Sequence, residues 1–403
     1  MANGNSTLAC VLGDMDLVRP LGLAGIKCAV AVQPGAAPRY SRYTSHVIEW
    51  ASPWENPNAL VDSLIDFAKT QSERPVLFYE SDGELLLVSR NRERLGKYFR
   101  FVVADAVLVE DLVDKERFQK LAEKFSLPVP RARHLQPHEP FKTEDLELVF
   151  PIVVKPLTRR PELWRSVTEL GKALRVNTAE ELRQLWPRLA ASGIELLAQE
   201  LIDGPETQIE SYHVYIDDRG DIVGEFTGRK IRTYPLEHGD STALETTDAG
   251  DVRELGRTIS QQIGLRGVAK FDFKRSPDGK LFLLEINPRF NLWHHLGALA
   301  GANLPALVYN DLTGTSRSES TNVRAGLSWT RVWQDAQAVH AAGQSMAQWL
   351  KWTSHCEAKR LLSWDDPMAF IGAALWKLRD KLKSKFGTTS PKILMNQVEM
   401  GGK

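Results

Sequence analysis

Cysteine is scarce in this chain of 403 residues, which has three, at Cys10, Cys28 and Cys356. Three cysteines so far apart cannot build a disulfide framework or a structural zinc site. An excess of either charge is also lacking, since 51 Lys and Arg residues balance 51 Asp and Glu residues. Proteins that bind nucleic acid through bulk electrostatics carry a basic surplus, so no nucleic-acid partner is expected.

Long apolar runs are missing as well. No window reaches the roughly 18 consecutive apolar residues that a transmembrane helix needs, and residues 1–7 lack the basic and apolar parts of a signal peptide. We therefore expect a cytoplasmic protein without a transmembrane segment. The G-x-G-x-x-G spacing is absent after the first apolar run, where Gly13 and Asp14 stand, so a nicotinamide-binding domain is not indicated.

Short apolar runs alternate with helical patterns over the first hundred residues. The predicted strands are residues 8–12, 26–32, 75–79 and 101–103, and the predicted helices are 17–24, 57–70 and 82–95. This alternation predicts βαβ units and an α/β, doubly wound parallel sheet with helices on both faces. Ligands bind beyond the carboxyl ends of such strands. The residues found there are Gly13, Asp14, Glu80, Ser81 and Asp82, for which ordinary turn and cap roles are the alternative.

Hairpin patterns mixed with helices follow this region and indicate α+β domains. A serine-rich linker at residues 316–321 precedes a tryptophan-rich segment with mostly helical patterns. We therefore predict an N-terminal α/β domain (1–112), a central subdomain (113–200), a second α+β subdomain (201–315) and a helical C-terminal extension (316–403).

The most informative passage is an apolar hairpin at residues 268–290. A tight turn at residues 276–279 puts Lys274 opposite Leu281 and Asp272 opposite Leu283. Side chains alternate between the two faces of a strand. One predicted face is wholly apolar and carries Phe271, Phe273, Phe282, Leu284 and Ile286; the other carries Lys270, Asp272, Glu285 and Asn287.

Two carboxylates and one carboxamide therefore point together from an apolar ribbon. Oxygen ligands of this kind suit Mg²⁺, which uses one or two carboxylates together with substrate phosphates. Arg289 follows closely, where its guanidinium can grip phosphate oxygens. The alternative is that Glu285 pairs with Lys270 and that Asn287 caps the strand.

The segment LFLLEINPRF, with Asp272 before it, resembles the magnesium strand of the ATP-grasp superfamily. It is similar in particular to the carboxylate–amine ligase branch, which includes D-aspartate-ligase-like and carbamoyl-phosphate-synthase-like proteins. The resemblance extends over residues 8–312. It implies that Asp272, Glu285 and Asn287 bind Mg²⁺, or alternatively Mn²⁺, and that Arg289 contacts the transferred phosphate or the acyl-phosphate.

Further segments match the family in the order that it requires. The resemblance implies phosphate-binding roles for Lys115 and Lys155, and adenosine contacts for Glu200, Leu201, Ile202 and Glu206. Lys230 and Arg232 fall where relatives place basic residues near the triphosphate or the acceptor, with an exposed basic strand end as the alternative. The family's glycine-rich phosphate loop is missing after Lys155; Arg159, Arg160, Arg165 or Lys172 would take over its contacts.

The activity that the resemblance implies is an ATP-dependent ligase. It would join a small carboxylic acid to an amine through an acyl-phosphate and release ADP and phosphate. Other chemistry on the same scaffold (carboxylation or phosphoryl transfer) and a catalytically silent ATP-binding regulatory protein are the alternatives. No general base can be identified; His213, His238, His294 and His295 are candidates, each with a structural role as its alternative.

Two further expectations concern surfaces. Loops 41–43 and 290–295 are expected to select the substrate, with Arg42 as a partner for a substrate carboxylate. The basic amphipathic pattern from Met368 to Phe386 predicts a helix that packs on its own protein; contact with an anionic membrane surface or a partner is the alternative. A homodimer is left open.

Overall fold

The computed structural model describes residues 7–136, 146–157, 164, 167, 173–237, 239–316 and 323–385. The first sheet is N-terminal and its strands are β1 (Ala9–Leu12), β2 (Cys28–Val30), β3 (Thr44–Val47) and β4 (Val76–Tyr79). Their order is β3-β2-β1-β4, and each neighbouring pair is parallel. The predicted parallel sheet is therefore confirmed.

Helices connect these strands and begin at defined caps. Their bounds are α1 (Met15–Leu23), α2 (Pro57–Lys69), α3 (Asp82–Arg90), α4 (Arg92–Gly96), α5 (Ala106–Val113) and α6 (Lys115–Lys124). Asp14 caps α1, and Ser81 and Glu84 form a capping box at α3. Both caps follow the ends of strands, so β1 and β4 each lead directly into a helix.

One predicted strand is wrong. Residues 101–103 are not extended into a strand, and only Arg100 bridges to Val76. The fourth strand is β3, an edge strand whose side chains are largely exposed. An exposed edge needs no alternation of apolar and polar residues, so the pattern carried no signal for it.

The second sheet is small and antiparallel. It contains β5 (Ala132–Leu135), β6 (Ile152–Pro156), β7 (Leu174–Val176) and β8 (Leu196–Glu200), in the order β5-β8-β6-β7. Helix α7 (Ala179–Ala191) packs on it through Leu182 and Leu189. This sheet therefore has a core of its own, separate from the cores of the other two sheets.

The third sheet has seven strands. They are β9 (Ile209–Ile216), β10 (Ile222–Tyr234), β11 (Asp240–Thr247), β12 (Gly267–Arg275), β13 (Leu281–Asn287), β14 (Ser328–Thr330) and β15 (Ala358–Lys359), and their order is β13-β12-β9-β10-β11-β14-β15. Three helices lie between β11 and β14 in the chain: α8 (Gly250–Gln262), α9 (His294–Ala300) and α10 (Leu304–Thr313). One face of the hairpin β12–β13 joins the core of α2, α3 and α8.

The hairpin register differs from the predicted one. Asp272 lies opposite Glu285 and Phe273 lies opposite Leu283, so Leu284 has no partner and forms a bulge. Beyond the bulge, Leu283 is fully buried, whereas Leu284 is half-buried. The apolar face therefore uses Leu283 instead of the predicted Phe282 and Leu284.

The C-terminal segment contains helices α11 (Val332–Ala341), α12 (Met346–His355) and α13 (Pro367–Lys385). It also supplies β14 and β15, so it extends the large sheet as well as adding helices. The buried Arg19 of α1 donates hydrogen bonds to the carbonyl oxygens of residues 359, 360 and 361 at 3.0, 2.7 and 3.1 Å. None of the helices in the described ranges is both long and apolar enough to cross a bilayer.

Candidate active site

The polar face of the hairpin β12–β13 gathers the acidic residues that the sequence singled out. Asp272 is paired in register with Glu285, and Lys270 with Asn287. The Lys270 Nζ lies 2.5 Å from Asp272 Oδ2 and 3.9 Å from Glu285 Oε1. Asn287 Nδ2 donates to Glu285 Oε1 at 2.9 Å. The four side chains form one cluster, in which Glu285 keeps 58% of its side chain exposed.

The neighbouring strand β9 completes this cluster with a residue that the sequence reasoning missed. Ser211 lies opposite Asp272, and its hydroxyl donates to Asp272 Oδ1 at 2.5 Å. Asp272 is 3% exposed, so its carboxylate is held in one orientation by Ser211 and Lys270. No local pattern marks Ser211, because its role depends on strand pairing 61 residues away.

The chemistry of this donor set fits a hard divalent cation. Asp272, Glu285 and Asn287 offer oxygen atoms only, which is what Mg²⁺ prefers. Across the described residues, no group of three or more His, Cys, Asp or Glu side chains is arranged as a metal site. Two carboxylates are nevertheless sufficient where substrate phosphates supply the remaining ligands.

Arg289 connects the hairpin to the N-terminal sheet. Its guanidinium donates to Asp82 Oδ1 at 2.6 Å, to the Glu80 carbonyl at 2.9 Å and to Asn287 Oδ1 at 3.1 Å. Glu80 and Asp82 follow the carboxyl end of β4. Glu80 and Asp82, two of the strand-end residues that the sequence indicated, therefore contact the hairpin β12–β13 through Arg289. Arg289 is the side chain that was predicted to contact phosphate.

Lys155 brings the small sheet to the same place. It lies on β6, and its Nζ donates to Gln199 Oε1 on β8 at 2.8 Å. Burial lowers the pKa of Lys155; the carboxylates of Glu285 and Glu206 oppose this effect and the cation Lys230 adds to it. Glu285 and Lys230 of the large sheet are therefore within electrostatic range of Lys155 on the small sheet.

Lys115, the first residue of α6, meets the same end of β6. Its Nζ donates to the carbonyl oxygen of Pro156, the residue after Lys155. The two lysines that were predicted to bind phosphates are therefore brought together, although 40 positions separate them in the sequence.

The segment after β8 is positioned by the large sheet. Lys274, which the sequence reasoning left without a role, is 5% exposed and donates to the carbonyls of Gly204 and Pro205 at 2.7 and 2.6 Å. Leu201 N donates to the Pro151 carbonyl at 3.0 Å. Residues 201–205 are therefore bound to both sheets. Ile202, within this segment, and Glu206, just after it, are half-buried.

Glu200 is oriented by the small sheet. Its carboxylate accepts a hydrogen bond from Val149 N at 3.0 Å, and Arg131 lies 3.8 Å away. These contacts fix the Glu200 carboxylate next to residues 201–202, where the adenine contacts were predicted.

Comparisons with known proteins add a second line of support to this geometry. The family described as "ATP-grasp in the biosynthetic pathway with Ter operon" matches residues 195–334, which include residues 201–205 and the hairpin β12–β13. Over these residues the chain is similar to the ATP-grasp superfamily.

The curated proteins to which this chain is similar include amino-acid ligases. A D-aspartate ligase of Enterococcus faecium (strain Aus0004) is 24% identical over 295 residues, which are 68% of this chain and 68% of that protein. A D-alanine–D-alanine ligase of Pseudomonas putida (strain GB-1) is 23% identical over 225 residues, 53% of this chain and 65% of the relative.

Solved structures show the same fold. An L-amino acid ligase from Bacillus licheniformis superposes with a TM-score of 0.57 at 16% identity and covers 80% of this chain and 78% of its own. An ADP complex of N5-carboxyaminoimidazole ribonucleotide synthetase gives a TM-score of 0.60 at 16% identity, with coverages of 79% and 80%.

Arg232, which was predicted to lie near the triphosphate or the acceptor, is bound to a buried carboxylate of the C-terminal segment. Arg232 makes two hydrogen bonds to the fully buried Asp335 of α11, at 2.8 and 2.7 Å, and stacks on Trp352 of α12. The pairing of β10 with β11 shifts register on both sides of Arg232. The prediction that Lys230 and Arg232 share a face assumed regular alternation, which this bulge interrupts.

Arg42 is also engaged within the protein. Its Nη1 donates to the Asp365 carbonyl at 2.8 Å, and its backbone N donates to Asp366 Oδ1 at 3.0 Å. The structure thus places Arg42 against the start of the C-terminal helix, where the sequence prediction had a substrate carboxylate.

Three of the candidate bases are core residues. Neither ring nitrogen of His213 or His294 has a hydrogen-bond partner, and His213 stacks on Phe226 with ring centroids 4.3 Å apart. Burial lowers the pKa of His294 and of His295 to about 3. These rings stay neutral near pH 7. His238, Arg159, Arg160, Arg165 and Lys172 lie outside the described residues.

Proposed function

We propose that this protein is an ATP-dependent ligase that joins a carboxylic acid to an amine through an acyl-phosphate and releases ADP and phosphate. The observation that carries the proposal is the meeting of Lys155 and the carboxylate hairpin. The half-buried ammonium group of Lys155 on the small sheet is within electrostatic range of Glu285 on the large sheet. Lys155 would then supply a cation for the phosphates next to the proposed metal ligands, which is the pairing that phosphoryl transfer requires.

Asp272, Glu285 and Asn287 are the proposed metal ligands. Bound Mg²⁺, or Mn²⁺ in its place, would neutralise charge on the β- and γ-phosphate oxygens. Asp272 is fixed by Ser211 and Lys270, whereas the exposed Glu285 can reach a ligand. The cluster therefore combines one rigid carboxylate with one accessible carboxylate.

The proposed nucleotide site lies between the two sheets. Lys115 and Lys155 would bind phosphate oxygens, and Lys230 adds a third positive charge nearby. Backbone groups of Leu201 and Ile202 are available for the adenine edge, with Glu200 and Glu206 beside the purine and the ribose. The contacts of Lys274 with residues 204 and 205 keep this segment next to the hairpin.

Arg289 is proposed to act on the acyl-phosphate. It is anchored by Asp82 and Glu80, so one guanidinium edge is fixed while it borders Asn287. The acid substrate would then lie between the hairpin and the carboxyl ends of β1 and β4. Relatives named as amino-acid ligases support an amino acid as at least one of the two small-molecule substrates.

The domain bounds 1–112, 113–200, 201–315 and 316–403 are retained as a proposal. Sheets two and three lie on either side of residue 200, which supports the central division. The large sheet takes two strands from beyond residue 315, so the extension is structurally continuous with the catalytic subdomain.

A screen of amino-acid and amine pairs tests the proposal. Wild-type protein with Mg-ATP is expected to release phosphate only when an acid and an amine are both present, with the amide detected by mass spectrometry. Glu285→Gln is expected to lose turnover and keep its fold, while the exposed Glu254→Gln on α8 serves as the control. Carboxylation would instead require bicarbonate. ATP binding without amine-dependent turnover would overturn the ligase assignment.

A further inference from the structure

The C-terminal helix α13 is fixed to the protein by one face. Ala369 and Ala373 are buried there, Gly372 packs against the ring of Tyr40, and Trp376 packs against Gly35. These contacts place the helix on the N-terminal domain, beside the 3-10 turn Ala37–Tyr40.

The start of the helix is also anchored. Asp366 is fully buried and accepts hydrogen bonds from Ser41 Oγ at 2.5 Å and from Arg42 N at 3.0 Å. The neighbouring Asp365 accepts from the Tyr43 hydroxyl. The helix therefore has a defined orientation, and its outer face is a fixed part of the surface.

That outer face is apolar and exposed. From Met368 an apolar stripe runs along it at steps of three, four, three and four residues, a spacing that keeps side chains on one side of a helix. Its members and their exposures are Met368 (53%), Ile371 (42%), Leu375 (59%), Leu378 (56%) and Leu382 (46%), and the turn before the helix adds the fully exposed Trp364. A continuous exposed stripe of this kind marks a contact surface.

Basic side chains flank the second half of the apolar stripe. Lys377, Arg379, Lys381 and Lys383 are all exposed, and Asp380 is the single acid among residues 377–384. The whole chain carries no net charge, so this local surplus of cations is a property of the helix.

Charge decides between the occupants of this surface. In a pair of identical helices packed along the stripe, Arg379 and Lys381 would flank the contact and repel their counterparts. A lipid surface with anionic headgroups satisfies both features, because it takes the apolar side chains into the acyl boundary and the cations at the phosphates. Trp364, in the turn just before the helix, belongs to the residue type that anchors at such interfaces.

We propose that α13 docks this protein on an anionic lipid surface, with the apolar stripe in the acyl boundary and Lys377, Arg379, Lys381 and Lys383 on the headgroups. The helix lies flat on the surface, so the N-terminal domain, on which it packs, faces the lipid. The proposal stands on the exposed stripe and its flanking charges, and is independent of the ligase activity.

Co-sedimentation of the full-length protein with vesicles tests this docking. Binding is expected to vesicles of phosphatidylcholine mixed with phosphatidylserine, to be weaker with phosphatidylcholine alone and to fall as salt is raised. The double variant Leu375→Ser/Leu378→Ser is expected to lower the partition coefficient about tenfold or more. Lys377→Glu/Lys381→Glu should abolish the preference for phosphatidylserine.

Leu350→Ser is the matched control, since Leu350 on α12 is 60% exposed and lies outside the apolar stripe. A stripe variant is scored only if its unfolding temperature equals that of wild type. Vesicle binding unchanged in the stripe variant would overturn the proposal. So would an absence of wild-type binding to phosphatidylserine vesicles, and a concentration-dependent dimer lost in the stripe variant would then assign the surface to a second copy.

Discussion

Asp272 and Glu285 lie directly opposite each other on β12 and β13, and the ammonium group of Lys270 lies between their carboxylates. The lysine thus compensates two negative charges that would otherwise repel each other. A divalent cation bound to the same oxygens would also neutralise this charge. The metal and Lys270 would therefore reduce the same repulsion between the two carboxylates.

Replacing Lys270 by Met tests this relationship. Asp272 is nearly buried, so removing its cation should lower the free energy of unfolding by about 3 kcal/mol or more in the absence of divalent ions. Added Mg²⁺ should restore part of this loss through binding to the folded state. Thermal unfolding with and without Mg²⁺ measures both effects. Lys280→Met, which removes an exposed lysine paired with Asp278, should change neither.

Replacing Lys155 by Ala should weaken ATP binding by about tenfold or more, because a charged hydrogen bond to phosphate is worth about 1.5 to 3 kcal/mol. The readout is the concentration of ATP needed to raise the unfolding temperature. Arg175→Ala, on the adjacent strand β7 and exposed, is the control. Equal ATP affinity in both variants would remove Lys155 from the nucleotide site.

Arg232 is expected to stabilise the fold through Asp335. Arg232→Ala leaves the buried carboxylate without its bidentate partner and should cost about 3 to 5 kcal/mol. Turnover per folded molecule should stay close to wild type at a temperature where both proteins are folded. A large fall in kcat with unchanged stability would instead support the catalytic role inferred from the sequence.

The buried histidines predict loss of stability in acid. The folded-state pKa of His294 and of His295 is lowered by burial to about 3, below the ordinary value of 6.5. The unfolded chain therefore binds more protons than the native state below pH 6.5, so stability present above that pH is lost as pH falls.

Each such ring contributes about 1.4 kcal/mol per pH unit in this range. Unfolding temperatures between pH 6.5 and 5 should fall less steeply in His294→Leu than in wild type. His355→Gln, which replaces an exposed ring, should reproduce the wild-type slope. An unchanged slope in His294→Leu would show that this ring titrates normally in the folded protein.

Local patterns sufficed for much of the fold and of the candidate site. The strands carrying Lys155 and Glu285 and the turn at residues 276–279 follow from apolar alternation and turn chemistry, which depend on near neighbours. The parallel N-terminal sheet follows for the same reason.

Long-range contacts account for what the sequence did not predict. The bulge at Leu284 accompanies a hydrogen bond from Leu283 N to the Pro128 carbonyl, which no hairpin pattern contains. Arg232 is held by Asp335, 103 positions away, and Lys274 by carbonyls about 70 positions away. Local patterns did not indicate these contacts, because the partners of both side chains come from distant elements.

Arg19 connects the first helix to β15 and the two residues that follow it. Its buried guanidinium donates to the carbonyl oxygens of residues 359–361, its acceptors among the residues that the structure describes. A buried cation without partners is costly, so during synthesis the first helix cannot settle into its final packing before residue 361 has left the ribosome. Nascent chains that stop short of this point should therefore stay sensitive to proteolysis near their N-terminus, long after the first sheet has been translated.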